Sequence, residues 1–213
     1  MIYGCDVSYA NGSPVWALAL DDPRVKFVYA RASYGTNPFD DDGPAFTNAH
    51  DACKAHGTKF GSYFFWLMGQ DGAAQAEHFL QAANGRFGDL AVMVDVEEGS
   101  GVNGWGPNVQ ARIANLSATL HVLEKKVGQP IIYTNNDTWT TYFGGTDAFA
   151  GHRFVVAQYG VPAGHFDPIP GVKKVVMHQF SDGAELPRIA GLSTPGNNVD
   201  RDVILGDFSS IAR

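Results

Sequence analysis

No apolar run in this chain is long enough to span a bilayer, so no membrane-spanning helix is expected. The N-terminus, Met1-Ile-Tyr-Gly-Cys-Asp6, has neither the basic start nor the apolar core of a secretory signal peptide. Cysteine is scarce, with only Cys5 and Cys53. They could pair only if the fold brings them close, and two buried free thiols are the expectation. Positive charge is also in short supply: 15 Lys and Arg stand against 22 Asp and Glu, for a formal net charge of -7. With no basic stripe to meet phosphates, nucleic acid is not an expected partner. The 7 His are dispersed, with no HExxH pair, which argues against a His-based metal centre. No GxGxxG or GxxxxGK[ST] loop follows the first apolar run, so the main reason to expect a nucleotide is missing. Nor is there a GxSxG elbow or a nucleophilic-cysteine signature.

What is present is an ordinary globular composition, 45% hydrophobic and 17% charged, on a chain of 213 residues read as a single domain. The 25 Gly and 11 Pro fall between apolar runs and mark turns. Strands are expected at Ile2 to Ser8, Val25 to Ala32, Lys59 to Trp66, Leu90 to Glu98 and Pro130 to Asn135. Helices are expected between them. One begins at Asp40-Asp-Asp-Gly-Pro44 and places Phe46, Ala49 and Cys53 on one face. Another is capped by Asp71 and stops near Gly85. The clearest opens at Gly106-Pro107, carries Val109, Ile113, Leu116, Leu120, Leu123 and Val127 at steps of three and four, and ends at Gly128. A helical turn is expected around Thr138 to Phe143. Beyond it, Arg153 to Tyr159 and Lys174 to Ser181 read as strands with no helix between them. Ala184 to Leu205 reads as short strands with a turn at Pro195-Gly-Asn-Asn198.

Strand and helix thus alternate through about five units before strands follow alone, which predicts an α/β protein with a largely parallel sheet. Acids at strand ends choose between an open sheet and a barrel. The run Leu90-Ala-Val-Met-Val94 delivers Asp95 and Glu97, one residue apart and so on the same face. Gly99-Ser-Gly101 follows, setting the pair at the C-terminal mouth of a strand whose apolar length marks it as buried. Asp6 ends the first strand in the same way. Such mouths are where barrel enzymes collect their catalytic groups. The prediction is an irregular, TIM-like (β/α) barrel of about five β/α units finished by partly antiparallel strands.

Asp6, Asp95, Glu97 and Asp200 then form a carboxylate cluster. Two like charges held close on a buried strand predict a raised pKa for one of them. Aromatics recur at the strand ends and loops: Tyr9, Tyr34, Tyr63, Phe65, Trp105, Tyr133, Trp139 and Tyr159. Acids beside aromatic platforms suit glycoside cleavage, in which one carboxyl protonates the leaving oxygen and another stabilises or attacks the developing cation. Carboxylates alone also suit Mg²⁺ or Ca²⁺, but no metal site and no cofactor is assigned.

The residues resemble the family 25 glycoside hydrolases, the Ch-type lysozymes or N-acetylmuramidases common among phage endolysins. The resemblance rests on Gly4-Cys-Asp-Val-Ser8, Tyr29-Ala-Arg-Ala-Ser33 with Gly35, Gly61-Ser-Tyr-Phe-Phe65 and Val94-Asp-Val-Glu97. It continues through Ile131-Ile-Tyr-Thr134, Val156-Ala-Gln-Tyr159, His178-Gln-Phe-Ser181 and Val199-Asp-Arg-Asp202. None is specific alone; their order and spacing are. The resemblance implies Glu97 as general acid, Asp95 and Asp6 as carboxylates that stabilise charge or orient the substrate N-acetyl group, and Asp200 as a fourth acid of the groove. It implies Tyr63, Phe65, Tyr133 and Tyr159 as groove-lining aromatics, and Arg31 and Trp139 are added to the substrate-binding set. The chain departs from the family at Phe64, His178 and Asp202, where the family carries His, Trp and Asn.

The implied activity is hydrolysis of the β-1,4 bond between N-acetylmuramic acid and N-acetylglucosamine in bacterial peptidoglycan, by a monomer. The context implied is a phage endolysin made without a signal peptide in the host cytoplasm and acting on the wall. Two alternatives stay open: a non-catalytic wall-binding protein on the same barrel, and a hydrolase of chitin-like polymers. The stereochemical course is also open between an enzyme carboxylate, a water and the substrate N-acetyl group as nucleophile.

Overall fold

Eight strands close on themselves in chain order in the computed structural model of the protein, which describes residues 1–98, 108–192 and 198–213. They are β1 (Ile2–Val7), β2 (Phe27–Tyr34), β3 (Lys59–Phe65), β4 (Met93–Asp95), β5 (Ile131–Asn135), β6 (Arg153–Ala157), β7 (Val175–Ser181) and β8 (Asp200–Ile204). Each of β1 to β6 runs parallel to the next, and β8 closes the ring antiparallel to both β7 and β1. The helices are α1 (Trp16–Leu20), α2 (Gly43–His56), α3 (Gly72–Ala83), α4 (Val109–Val127) and α5 (Asn136–Phe143), one after each of β1 to β5. The irregular barrel of five β/α units is therefore as expected. Its antiparallel part is the single strand β8, where the sequence pattern suggested several short ones.

The helices form where the spacing and caps predicted them. In α2, Phe46, Ala49 and Cys53 are buried, and Gly57 ends the helix at φ 83, a left-handed conformation that costs glycine little. The Asp71 side chain accepts from Ala74 N–H at 2.8 Å to start α3. The left-handed residue that stops α3 is Asn84, one position before the expected Gly85. The start of α4 is capped by Asn108, whose Oδ1 accepts from Ala111 N–H. The expected signals at Gly99-Ser-Gly101, Trp105, Gly106-Pro107 and Pro195 lie outside the described residues. Helix α1 was not anticipated; its five residues are too few to show a period.

Two cores result. Outside the barrel, the helices pack on the sheet through residues such as Phe64, which stacks on Phe79 at 4.9 Å, and Trp66, whose Nε1–H donates to Thr119 Oγ1 at 2.9 Å. Cys5 and Cys53 sit in this layer as free thiols. Inside, Phe27, Tyr29, Met93, Ile131, Val155, Met177 and Ile204 fill the lumen. Gly61 is there because a Cβ would run into the Tyr29 ring. The acidic strand is shorter than predicted. Leu90 and Ala91 leave the ladder, and Ala91 N–H donates to Ile211 O at 2.8 Å, so the C-terminal turn plugs the lower end of the lumen.

Candidate active site

The upper end is open. Parallel strands present their C-terminal ends there, and antiparallel β8 presents its N-terminal end, so residues 6, 95 and 200 arrive at one mouth. A cavity of about 430 Å³ is lined by Asp6, Ser8, Arg31, Tyr34, Tyr63, Phe65, Met93, Asp95, Glu97, Tyr133, Tyr159, Gln179 and Asp200. It brings together all four expected acids, the four expected aromatics and Arg31. A second hollow of about 580 Å³, lined by Tyr9, Phe39, Asp40 and Asp41, shares Arg31 and Tyr34 with it and extends the cleft. Trp139 must be withdrawn from the site. It is fully buried on α5, stacked on Phe143 at 4.9 Å, with its Nε1–H donating to Thr146 O. The helical phase of Asn136–Phe143 turns the indole into the outer core, away from the mouth.

The acidic segment is fixed from both sides. Trp66 N–H donates to Asp95 O and Val96 N–H to Tyr133 O, each at 2.9 Å, so pairing with β3 and β5 outlasts the strand itself. That holds Asp95 and Glu97 on the lumen face. Gln179, which sequence reasoning did not assign, ties the mouth together. Its Oε1 accepts from Tyr133 Oη at 2.8 Å and Tyr159 Oη at 2.6 Å, and its Nε2 donates to Asp6 Oδ2 at 2.7 Å. The two phenols orient the amide so that its donor faces Asp6. The available signal was parity: Gln179 shares a face with the apolar Met177 of β7, a polar side chain aimed into a lumen. On the other wall, Arg31 Nε donates to Asp42 Oδ1 at 2.9 Å. The guanidinium lies between the Tyr9 and Tyr34 rings, 5.1 and 5.5 Å from their centroids. Tyr34 in turn stacks on Phe65 at 4.6 Å.

Burial raises every acid here, but unequally. The Asp6 carboxyl is pushed up to about 6 by desolvation, held back by hydrogen bonds from Gln179 and Asp202. Glu97 is pushed up to about 7, by desolvation and then by the Asp6 charge, while a hydrogen bond with Tyr133 opposes the rise. Asp200 is raised to about 8 by desolvation and by Asp6 and Glu97. Asp95 is raised well above the carboxylate range by desolvation and by Glu97 and Asp6, with Arg31 opposing. Asp6, which accepts from Gln179, is the acid best placed to ionise, and Glu97, raised by burial and by the Asp6 charge, is placed to keep its proton. One ionised and one protonated carboxyl in an aromatic-lined cleft is an acid-and-anion pair suited to cleaving an acetal.

Comparison with known proteins agrees with this chemistry. The family model described as "Glycosyl hydrolases family 25" matches residues 5–189. An N,O-diacetylmuramidase from Chalaropsis sp is 30% identical over 179 residues, spanning 76% of this chain and 83% of that protein. A bacterial lysozyme from Streptomyces coelicolor superposes with a TM-score of 0.82 at 24% identity, over 99% of this chain and 94% of that one. A family GH25 lysozyme from Aspergillus fumigatus gives 0.78 at 22% identity, over 98% and 95%. At those identities the two structures attest the barrel, not the details of the site.

Proposed function

This chain belongs to glycosyl hydrolase family 25, and from that premise we propose that it is a muramidase that cleaves the β-1,4 bond on the reducing side of N-acetylmuramic acid in peptidoglycan. The observation that carries this reading is that Asp6, Asp95, Glu97 and Asp200 share one aromatic-lined cavity in which Gln179 donates to Asp6 and so favours its ionised form. Glu97 is the general acid and gives its proton to the glycosidic oxygen as that bond breaks. Asp6, ionised and held by Gln179, stabilises the positive charge that develops at the sugar carbon. Asp95, raised well above the ordinary carboxylate range by burial, offers the substrate N-acetyl group a hydrogen-bond partner. Asp200, the ladder partner of Asp6 on β8, lines the same mouth. Tyr34, Tyr63, Phe65, Tyr133 and Tyr159 present ring faces and hydroxyls to the sugars. The cleft beyond Arg31, where Phe39 is 94% exposed, has room for further sugars of a polymer.

The test is the chemistry of the cut. Digested peptidoglycan analysed by mass spectrometry is expected to carry N-acetylmuramic acid at each new reducing end; N-acetylglucosamine there would refute the bond assignment. Glu97→Gln is expected to lower turnover by about 10³-fold or more with the fold intact, since an amide cannot protonate the leaving group. The phage endolysin context is a further part of the proposal, supported by the resemblance of the sequence motifs. It predicts that the chain made inside a bacterium lyses the cell only when a separate pore releases it to the wall.

A further inference from the structure

The layer beneath the mouth holds a carboxyl group that the reaction above does not use. In the antiparallel ladder of β8 and β1, Asp200 stands opposite Asp6 and Asp202 opposite Gly4, so Asp202 faces the lumen one layer deeper. On its other side it stands opposite Gln179 of β7. It is 1% exposed, and its Oδ2 is buried with no hydrogen-bond donor among the described residues. Asp202 is the same-face diagonal neighbour of Asp6 across the β8–β1 ladder. Two carboxyls buried side by side can join in a hydrogen bond only if one of them carries the proton. Asp6 has a second donor in Gln179 Nε2, which favours its ionised form. The charged or titratable neighbours of Asp202 are Cys5 and Asp6 on β1, Tyr29 on β2, Tyr159 beyond β6, and Asp200 and Arg201 on β8. Arg201 is the single cation among them, and its guanidinium is engaged on the outer face, donating to Pro187 O at 2.9 Å.

We propose that Asp202 is a positioning residue for the reaction: as a protonated carboxyl it donates a hydrogen bond to Asp6 and, with Gln179, holds that carboxylate toward the cleft. This rests on the reading that Asp6 acts ionised. The lumen supplies the reason for the choice of atom. Asp6 needs donors at the wall away from the substrate, and the nearest groups there are acids, phenols and one amide. A carboxylic acid with its proton retained by burial is a donor of the right length for that place. Desolvation and the neighbouring acids act in the same direction, raising Asp202 well above the usual carboxylate range.

Two variants and one spectrum test it. Asp202→Asn keeps a donor without changing charge, so kcat is expected to stay within about threefold of wild type and the acid limb of the pH–rate profile to stay in place. Asp202→Ala removes the donor. Its kcat is expected to fall about tenfold or more with KM within about twofold, and its acid limb to move up by about one pH unit, because ionised Asp6 is less well stabilised. An acid limb displaced downward by about a unit in the Asn variant would mean that a negative charge had been removed, and would overturn the proposal. Equal losses in both variants with unmoved limbs would also overturn it, leaving Asp202 a packing residue. Infrared difference spectroscopy of wild type against the Asn variant at neutral pH is expected to show the loss of one protonated-carboxyl C=O band; no lost band would overturn the assignment. The spectrum decides even if the Ala variant does not fold. It also reads the proton without any turnover, so an inactive wild type would defeat the functional reading and leave this measurement standing.

Discussion

At the residue scale, the site is a problem of sharing protons among acids that cannot all be charged at once. The sign of each limb of the rate profile follows from the roles proposed. Activity needs Asp6 ionised, so it rises with pH through about 6, and needs Glu97 protonated, so it falls through about 7. The expected profile of kcat/KM is a narrow bell with its maximum between those values, whose apparent pKa values belong to the pair. A rate that is level from pH 5 to pH 8, measured on glycan fragments, would contradict it. Tyr133→Phe sharpens the test. When Glu97 ionises, the single Tyr133 hydroxyl proton can turn from Gln179 to its carboxylate and favour the charged form, so its loss is expected to move the alkaline limb upward. An alkaline limb that stays or falls would separate Tyr133 from Glu97. Much of this site was legible in the chain, because Asp95 and Glu97 continue an apolar run and so had to face one way at a strand end. Trp139 was misjudged because an aromatic on a short helix reads the same whether it lines a rim or fills a core. Gln179 and Asp202 carry no local signature of reactivity, since their task is to hold Asp6.

At the scale of elements, the barrel depends on a few places where two backbones come close. The sharpest lies where α3 meets α4. Gly72 opens α3 with its N–H donating to Asn115 Oδ1 at 2.6 Å, and a Cβ there would collide with the Asn115 carbonyl and with Thr119 Oγ1. Thr119 is the acceptor for Trp66 Nε1–H at the end of β3, one strand from the acidic segment. Gly72→Ala is therefore expected to cost roughly 1–3 kcal/mol by overpacking, a loss of about 3–10 °C in Tm by calorimetry. An unchanged Tm would show that the helices part without cost. The helices themselves were readable from period and caps, since α2, α3 and α4 follow their buried faces and polar starts. Less readable was the short span of β4: the hydrophobic run Leu90 to Val92 continues past the ladder to meet the C-terminal turn, a contact between residues 91 and 211 that no local pattern announces. The reversed strand β8 was only partly legible for the same reason. Its direction is set by where the long connection from β7 returns, not by its own residues.

At the scale of the whole molecule, the acids of the mouth set the pH dependence of stability, and the sign is opposite to that of an ordinary salt-bridged protein. Asp6, Glu97 and Asp200 have folded-state pKa values raised to about 6, 7 and 8. Unfolded, such carboxyls titrate near 4. The folded protein therefore binds more protons than the unfolded chain between about pH 4 and pH 8, so stability falls as pH rises through that window. Below it these groups contribute their full share, since they are protonated in both states. The opposing trend comes from acids such as Asp22, lowered by its hydrogen bond and ion pair with Arg24, whose contribution is lost only on further acidification. The expectation is a Tm that is highest near pH 4 to 5 and lower at pH 8. Asp200→Asn removes a group raised to about 8, so the decline between pH 6 and pH 8 is expected to become shallower in that variant. Glu97→Gln is expected to melt above wild type at pH 8 while its turnover collapses, because the charge that burdens the fold is the group the reaction uses. A Tm that holds level or rises from pH 5 to pH 8, followed by calorimetry on wild type and both variants, would mean that the mouth hydrates its acids well enough to leave them near their ordinary values. In that case Glu97 would be ionised at neutral pH and could not be the proton donor.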